Sequence, residues 1–372
     1  MRNARLVERA MDRTELMLKE LTEAHGVPGH EDAVAQIMER YLKDTADKIE
    51  YDRLGSLIAR KEGTTSAPKI MIAGHMDEIG FMVRDITSDG YIKFLPLGGW
   101  WGHVALAKRV IIKTAKGDVP GVIGSKPPHI LTDEERKKVL EIKDLYIDVG
   151  AQDKFDVRKK LHIRPGDSIL PVSEFTILAN PRMYLAKAWD NRLGCAAVID
   201  VMNNLRKSRH PNTIYGVGTV QEEVGLRGAM TAANMVDPDV GFAVDVSIAG
   251  DIPGLEGKPK ERLGTGPSIA VYDGSLVPNR RLRDLVINIA EKNKIPYHLT
   301  ALDRGGTDGG RIHLNRIGVP TIYIGAATRY IHGHAGILNR DDYDNLVKLL
   351  TAVVRALDKR TVDSLVRNKS GA

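Results

Sequence analysis

Apolar residues recur at helical spacing over residues 14–24 and again over 31–41, with Gly26-Val27-Pro28-Gly29 between them, so the chain is predicted to open with two short helices. Residues 49–60 read as a strand pair around Arg53-Leu54-Gly55. The short apolar run Lys69-Ile70-Met71-Ile72-Ala73-Gly74 reads as a buried strand. From residue 79 to about 178 the texture changes to short strands separated by turn signals, over 79–84, 91–95, 110–113 and 121–123. One or two short helices are predicted in this stretch, the clearest over 132–142, with Thr132 or Asp133 as its cap. After Ala188 helices and strands alternate: helices over 192–205, 227–235, 279–293, 309–315 and 341–358, and strands over 213–220, 240–246, 268–272, 297–302 and 320–324. The pattern predicts an α/β fold in which residues 1–77 and 179–372 build one helix-covered sheet and residues 78–178 form a small inserted β-rich domain. The last residues, 368–372, are expected to fray.

The 372 residues are 42% hydrophobic, enough for a large core and two domains. No stretch approaches the roughly 20 apolar residues that span a bilayer, and Met1-Arg2-Asn3-Ala4-Arg5 runs into charged residues without an apolar signal core; both point to the cytoplasm and away from a membrane. The net charge of +6 comes from 54 basic residues interleaved with 48 acidic ones. Aromatic residues make up 5%, which leaves little for base stacking and argues against nucleic acid as a partner. The single cysteine, Cys195, lies in the apolar segment Leu193-Gly194-Cys195-Ala196-Ala197-Val198 and reads as a packed small residue. Disulfide scaffolds and cysteine-rich zinc modules are thereby excluded.

The chemistry is carried by acidic and histidine residues at the ends of apolar runs: His75 and Asp77, Asp190, Glu222 and Glu223, Asp245, and His332. Such side chains, where an α/β sheet opens to solvent, are what a hydrolytic metal site is built from. Each has a plainer reading alone. His75-Met76-Asp77 puts two side chains on one side of an extended segment, where they could simply pair; as a metal site, His75 would be a ligand with Asp77 holding its other ring proton. Asp190 could be the N-cap of the helix that follows. Adjacent Glu222 and Glu223 repel each other unless cations reward both. Asp245 interrupts a strand of buried character, which is costly unless it is paired or bound to metal. His332 follows a core strand across a polar loop.

Taken together, Ala73-Gly74-His75-Met76-Asp77-Glu78-Ile79-Gly80, Ala188-Trp189-Asp190-Asn191-Arg192, Thr219-Val220-Gln221-Glu222-Glu223-Val224-Gly225, Val244-Asp245 and Arg329-Tyr330-Ile331-His332 resemble the tetrahedral aminopeptidases, dinuclear metallopeptidases that include glutamyl, leucyl and deblocking aminopeptidases. The likeness spans essentially the whole chain. It implies the sheet-between-helices fold of the dinuclear zinc peptidases. It also implies that His75, Asp190 and Asp245 hold one divalent ion and Asp190, Glu223 and His332 a second, with Asp190 bridging. Glu222 would then be the general base and Asp77 the partner of His75, and the peptide bond Asp190-Asn191 is a candidate for a cis bond. The chain departs from the pattern at Gly333-His334, where the family often has Ser after the histidine; His332 is preferred to His334 as ligand.

The implied reaction is hydrolysis of the N-terminal residue from short peptides by water activated between two metal ions. Imidazole and carboxylate ligands without thiolate suit Zn(II), Co(II) or Mn(II), with zinc and cobalt first. The likeness further implies a homododecamer built from dimers, contacts coming in part from the β-rich segment, where Trp100 and Trp101 read as exposed. Gly305-Gly306-Thr307-Asp308-Gly309-Gly310 lacks the features of a phosphate loop and reads as a helix start capped by Thr307 or Asp308, in a loop that the resemblance puts near the site. Residue preference is not readable, though Arg227 or Arg329 would favour acidic side chains. Two rivals remain: a glycoside hydrolase, which needs two opposed carboxylates but no histidine ligands, and a non-catalytic assembly protein, which would tolerate loss of a ligand.

Overall fold

A computed structural model describes residues 10–255 and 261–366. Helices α1 (Arg13–Glu23) and α2 (Asp32–Leu42) lead into strands β1 (Lys48–Tyr51), β2 (Leu57–Lys61) and β3 (Lys69–His75). Next come β4 (Gly80–Ile86), β5 (Ile92–Leu97), the single turn α3 (Gly102–Ala105), β6 (Arg109–Thr114), β7 (Gly117–Gly124), α4 (Asp133–Lys137), β8 (Tyr146–Asp148) and β9 (Ser168–Pro171). The remainder runs through β10 (Thr176–Ile177), β11 (Met183–Ala186), α5 (Trp189–Leu205), β12 (Thr213–Thr219), α6 (Arg227–Val236) and β13 (Val240–Ile248). It closes with β14 (Ser268–Tyr272), α7 (Arg280–Lys292), β15 (His298–Ala301), α8 (Gly309–Ile312), β16 (Thr321–Arg329), β17 (Gly336–Asn339), α9 (Arg340–Ala356) and α10 (Lys359–Leu365).

Among the described residues, the large sheet runs β1-β2-β12-β3-β13-β16-β17-β11-β10, with β14 and β15 joined at β16. Its centre, β12-β3-β13-β16, is parallel. These strands are buried almost throughout, as expected of parallel strands covered on both faces. On one face α5 packs with α1, α2, α7 and α9 around a core that includes Leu18, Met38, Val198, Met202 and Leu350. On the other, α6 and α8 cover Met71, Ala73 and Val217.

The parallel register brings the carboxyl ends of β3, β12, β13 and β16 to one edge, where an open α/β sheet forms its crevice. The helix α5 lies unusually close to that edge. A Cβ on Gly74 would stand 2.5 Å from the backbone of Gly194, and one on Gly194 would stand 2.4 Å from the carbonyl oxygen of Val244. Glycine at both positions lets α5 deliver its first turn against the strand ends.

The predicted α/β sheet with its smaller β-rich companion is what the chain forms. The companion is a closed barrel, β4-β5-β8-β7-β6-β9, with its own core of Phe81, Ile92, Val110, Ile112, Ile147 and Ile169. Three local expectations change. The helix expected over 132–142 stops at Lys137: Thr132 caps it, but no residue of α4 is buried, so nothing holds a longer helix in place. The helix expected over 309–315 is the single turn α8. Trp100 is not an exposed contact residue, because its ring stacks on Phe81 at 4.5 Å and its indole N–H donates to the carbonyl of Gly80 at 3.0 Å. Trp101 is exposed. The expected fraying of 368–372 lies outside the described residues. Within them, no helix is long and apolar enough to cross a membrane.

Candidate metal centre

His75 is the last residue of β3, and its Nδ1 lies 3.0 Å from the backbone carbonyl of Asp77. A carbonyl can only accept, so Nδ1 carries a ring hydrogen and Nε2 is the nitrogen turned toward the cluster. That Nε2 is 3.0 Å from Asp190 Oδ1, 3.7 Å from Glu222 Oε2 and 3.9 Å from Asp245 Oδ2. His332 repeats the device: its Nδ1 donates to the carbonyl of Gly99 at 2.8 Å, leaving Nε2 3.4 Å from Asp190 Oδ2 and 3.6 Å from Glu223 Oε2. Tyr330 and His332 both have positive φ, so the loop after β16 is held in a sparsely populated conformation that turns this imidazole toward the cluster.

Two groups of convergent ligand atoms result, His75 with Asp190 and Asp245, and Asp190 with Glu223 and His332. Within each, all the atoms lie within 4.8 Å of one another, and Asp190 belongs to both. Glu222 belongs to neither. His334 points elsewhere: its Nε2 is 2.9 Å from Lys108 Nζ, on the barrel side.

Asp77 sits beneath the cluster, fully buried. Its Oδ1 is 3.5 Å from His75 Nδ1, but its carboxylate oxygens accept the backbone N–H groups of Glu222 and Glu223, each at 3.0 Å. It therefore fixes the turn that carries both glutamates. Glu31 braces the same turn, accepting from the N–H groups of Gly29 at 2.8 Å and Gln221 at 3.0 Å.

The sequence offers Asp190 as a helix cap, and the cap is instead its neighbour. Asp190 and Asn191 have non-helical backbone angles inside α5, so its regular part starts after them, and Asn191 Oδ1 accepts from the N–H of Gly194 at 2.9 Å, as an N-cap does, while its amide donates to the carbonyl of Val244 at 2.7 Å. The Asp190-Asn191 peptide bond is cis. Glu78, next to Asp77, is absorbed by structure: it is buried against Lys187 at 2.5 Å and Arg192 at 3.1 Å. Arg192 also donates to the carbonyls of Leu21, Ala24 and Gly26, tying α5 to the end of α1. Cys195 is buried with its Sγ 3.1 Å from the carbonyl of His75, and burial pushes its thiol up to about 12, as for an inert packed residue.

The electrostatics of the cluster are set by crowded, buried acids around two imidazoles. Burial and the neighbouring Asp190 push Glu223 up to about 8; burial and the surrounding carboxylates push Glu222 and Asp245 well above the usual range. Against the pull of burial, Glu222 and the other acids hold His75 well above its usual value, and Asp190 and Glu223 hold His332 at about 10. Glu223 Oε1 is buried with no hydrogen-bond partner. Crowded carboxylates that resist ionisation, an orphaned carboxylate oxygen and two imidazoles presenting Nε2 are the features that divalent cations would satisfy. The residues present fit a pair of such ions.

Asp308 was not among the expected site residues. It is buried, its Oδ2 accepts from the hydroxyl of Thr219 at the end of β12, its Oδ1 has no partner, and it is pushed up to about 6 by burial. Neither it nor Thr307 caps α8 through its side chain; Thr307 donates to Asp273 at 3.0 Å. A glycine-rich loop has no periodicity to reveal which face its acid takes. Gly99 was missed for a different reason, since its contribution is a carbonyl, which side-chain patterns do not reveal.

Beside the cluster opens a cavity of about 640 Å³, running from Asp190, Glu222 and His332 along β13 to the end of β15. Neither arginine considered for substrate preference lines it. Arg329 is engaged by Asp251 at 2.9 and 2.6 Å, and Arg227 lies at the surface against Gln221.

Residues 55–349 match the family described as M42 glutamyl aminopeptidase. A lysyl aminopeptidase of Pyrococcus furiosus is 35% identical over 344 residues, 92% of this chain and 96% of its own length. Among solved structures, a TET aminopeptidase from the marine sediment archaeon Thaumarchaeota archaeon SCGC AB-539-E09 superimposes with a TM-score of 0.93 at 42% identity, covering 95% of this chain and 99% of that one. A Pyrococcus horikoshii TET1 peptidase, described as assembling into a tetrahedron or a large octahedral shell, matches with a TM-score of 0.83 at 32% identity over 92% of this chain and all of that one.

Proposed function

Because the chain belongs to the M42 glutamyl aminopeptidase family and is an aminopeptidase, we propose that it works with two divalent metal ions, zinc or cobalt first, one held by His75, Asp190 and Asp245 and the other by Asp190, Glu223 and His332. The observation that carries this reading is the pair of convergent ligand groups sharing Asp190. When bound, such ions polarise the scissile carbonyl and lower the pKa of the attacking water.

The protein's own part falls to Glu222, which borders the same cavity but stands outside both ligand groups and so keeps its carboxylate free. Glu222 takes a proton from the water as its oxygen bonds to the carbonyl carbon, then delivers it to the leaving nitrogen as the C–N bond breaks. The products are a free amino acid and a shortened peptide with a new amino terminus. Asp77 positions Glu222 and Glu223 through their backbone N–H groups. His75 and His332 stay in the tautomer fixed by the carbonyls of Asp77 and Gly99.

A glycoside hydrolase would need carboxylates facing each other across a sugar, whereas these converge on imidazoles. The relative described as a tetrahedral or octahedral shell supports assembly of this chain into a homododecamer built from dimers, its subunits matching the equivalent positions that tetrahedral rotational symmetry generates. Such a shell confines the site to short peptides.

Dialysis against a strong chelator is expected to abolish hydrolysis of aminoacyl-p-nitroanilides, and Zn(II) or Co(II) to restore it. Binding of close to two ions per chain should be visible by calorimetry. Full activity in protein verified to be metal-free would overturn the proposal.

A further inference from the structure

The names glutamyl and lysyl both occur among the matches, so the charge that the first side chain of the substrate meets has to be read from this chain's own cavity. Beyond the metal cluster its walls are mainly apolar, with Leu226, Ile248, Leu255 and Leu302 among them, and two charged residues join them among the described residues: Glu261 and Arg304. The two are placed differently. Arg304 is exposed in the loop after β15, where water and salt screen its charge.

Glu261 is largely enclosed, with 17% of its side chain accessible. Its backbone is pinned, because its carbonyl accepts from the N–H of Gly250 at 2.8 Å. One carboxylate oxygen accepts from the hydroxyl of Thr300, another wall residue; the other is buried and accepts no hydrogen bond. The nearest imidazole, His298, has its Nε2 3.6 Å from that oxygen but is already engaged at 2.8 Å by Ser268 Oγ, which in turn meets Ser247 Oγ at 2.5 Å. A carboxylate offers about four acceptor positions, and the protein uses one of them here. An under-satisfied anion in an apolar cavity favours a cationic guest and repels an anionic one. The apolar walls suit the methylene stem of a lysine or arginine side chain.

We propose that Glu261 is a specificity-determining residue that selects substrates whose first residue is lysine or arginine and rejects those beginning with glutamate or aspartate. The inference rests on the aminopeptidase reading of the neighbouring cluster.

The test compares kcat/KM of the Zn(II)- or Co(II)-loaded protein on p-nitroanilides of lysine, arginine, norleucine and glutamate. Lysine and norleucine have the same chain length and differ by the ammonium group, so their ratio isolates the charge. The wild type is expected to favour lysine over norleucine by roughly 10- to 100-fold, the worth of a hydrogen-bonded contact to a charged group, and to be slowest on glutamate. Glu261→Gln should bring the ratio close to one, and Glu261→Asp should keep much of it. Because the readout is a ratio within one preparation, partial loss of folded protein does not disturb it. A wild type that prefers norleucine or glutamate overturns the assignment even if no variant can be made, as does a ratio unchanged in Glu261→Gln. Hydrolysis of none of the four would overturn the aminopeptidase reading and this inference with it.

Discussion

Neighbouring residues in this site divide tasks that their chemical types would let either perform. Asn191 caps α5, which frees Asp190 to face both imidazoles. Glu223 lies within a ligand group and Glu222 does not, although both backbones hang from the same Asp77 carboxylate. The proposed roles therefore separate under substitution. Glu222→Gln is expected to keep close to two metals per chain while kcat falls roughly 10²- to 10⁴-fold, the usual range for lost general acid–base catalysis. Glu223→Gln should instead weaken one metal site, so that excess metal recovers part of the activity. Metal content by mass spectrometry beside steady-state rates decides between them, and equal metal loss in both variants, or a normal rate for Glu222→Gln, would refute the assignment. Residue identity was legible here because carboxylates and imidazoles at the ends of apolar runs are costly without a purpose. Asp308 and the carbonyl of Gly99 were not legible, since one sits in a glycine loop and the other acts through its backbone.

At the scale of elements, the strands that carry the site announce themselves as apolar runs, while the pieces that brace them are short or irregular. Two-residue β10 and four-residue β17 have too few positions to show alternation, and β17 also pairs with β11, far away in sequence. The loop between α1 and α2 is another such brace. It reaches the barrel through His25, whose Nε2 lies 3.0 Å from Ser168 Oγ in β9, while its Nδ1 is buried without a partner. Burial, helped by Lys113, His30, Lys187 and Arg192, pushes His25 down to about 3. The folded protein thus keeps the ring neutral where the unfolded chain, near its usual value of 6.5, takes up a proton. Above pH 6.5 the residue contributes no pH dependence; below it the unfolded state binds more protons, and stability falls progressively toward pH 3. Between pH 6.5 and 5 this loss is about 1–2 kcal/mol by linkage. Urea denaturation of apoprotein at the two pH values should show a loss smaller by about that amount in His25→Gln than in the wild type. An identical loss in the two proteins would mean that His25 titrates normally in the fold.

For the whole molecule, the change of texture after β3 foretold a separate β-rich unit, but not its closure into a barrel or its contribution of the Gly99 carbonyl that holds His332. Closure depends on non-local pairings such as β6 with β9 and β4 with β9, which leave no periodic mark. Assembly is less legible still, because a surface apolar residue reads like any other until its exposure is known. Trp101, Ile130 and Phe155 on the barrel unit are 59%, 68% and 63% exposed; Val277, Leu314 and Ile317, near α8, are 73%, 64% and 103% exposed. A tetrahedral shell needs contacts about both twofold and threefold axes, so two distinct patches are required and loss of one should leave a smaller closed oligomer. Sedimentation velocity at micromolar concentration is expected to give a dodecamer for the wild type. Ile317→Asp should yield dimers or trimers by placing a charge in an apolar contact, and Trp101→Asp should do the same at the other axis, the two variants differing in which oligomer survives. With the shell open, peptides too long for the closed particle should be hydrolysed faster relative to dipeptides. A wild-type protein that sediments only as a monomer would refute the assembly, and full-sized particles from both variants would show that the contacts lie on other faces of the chain.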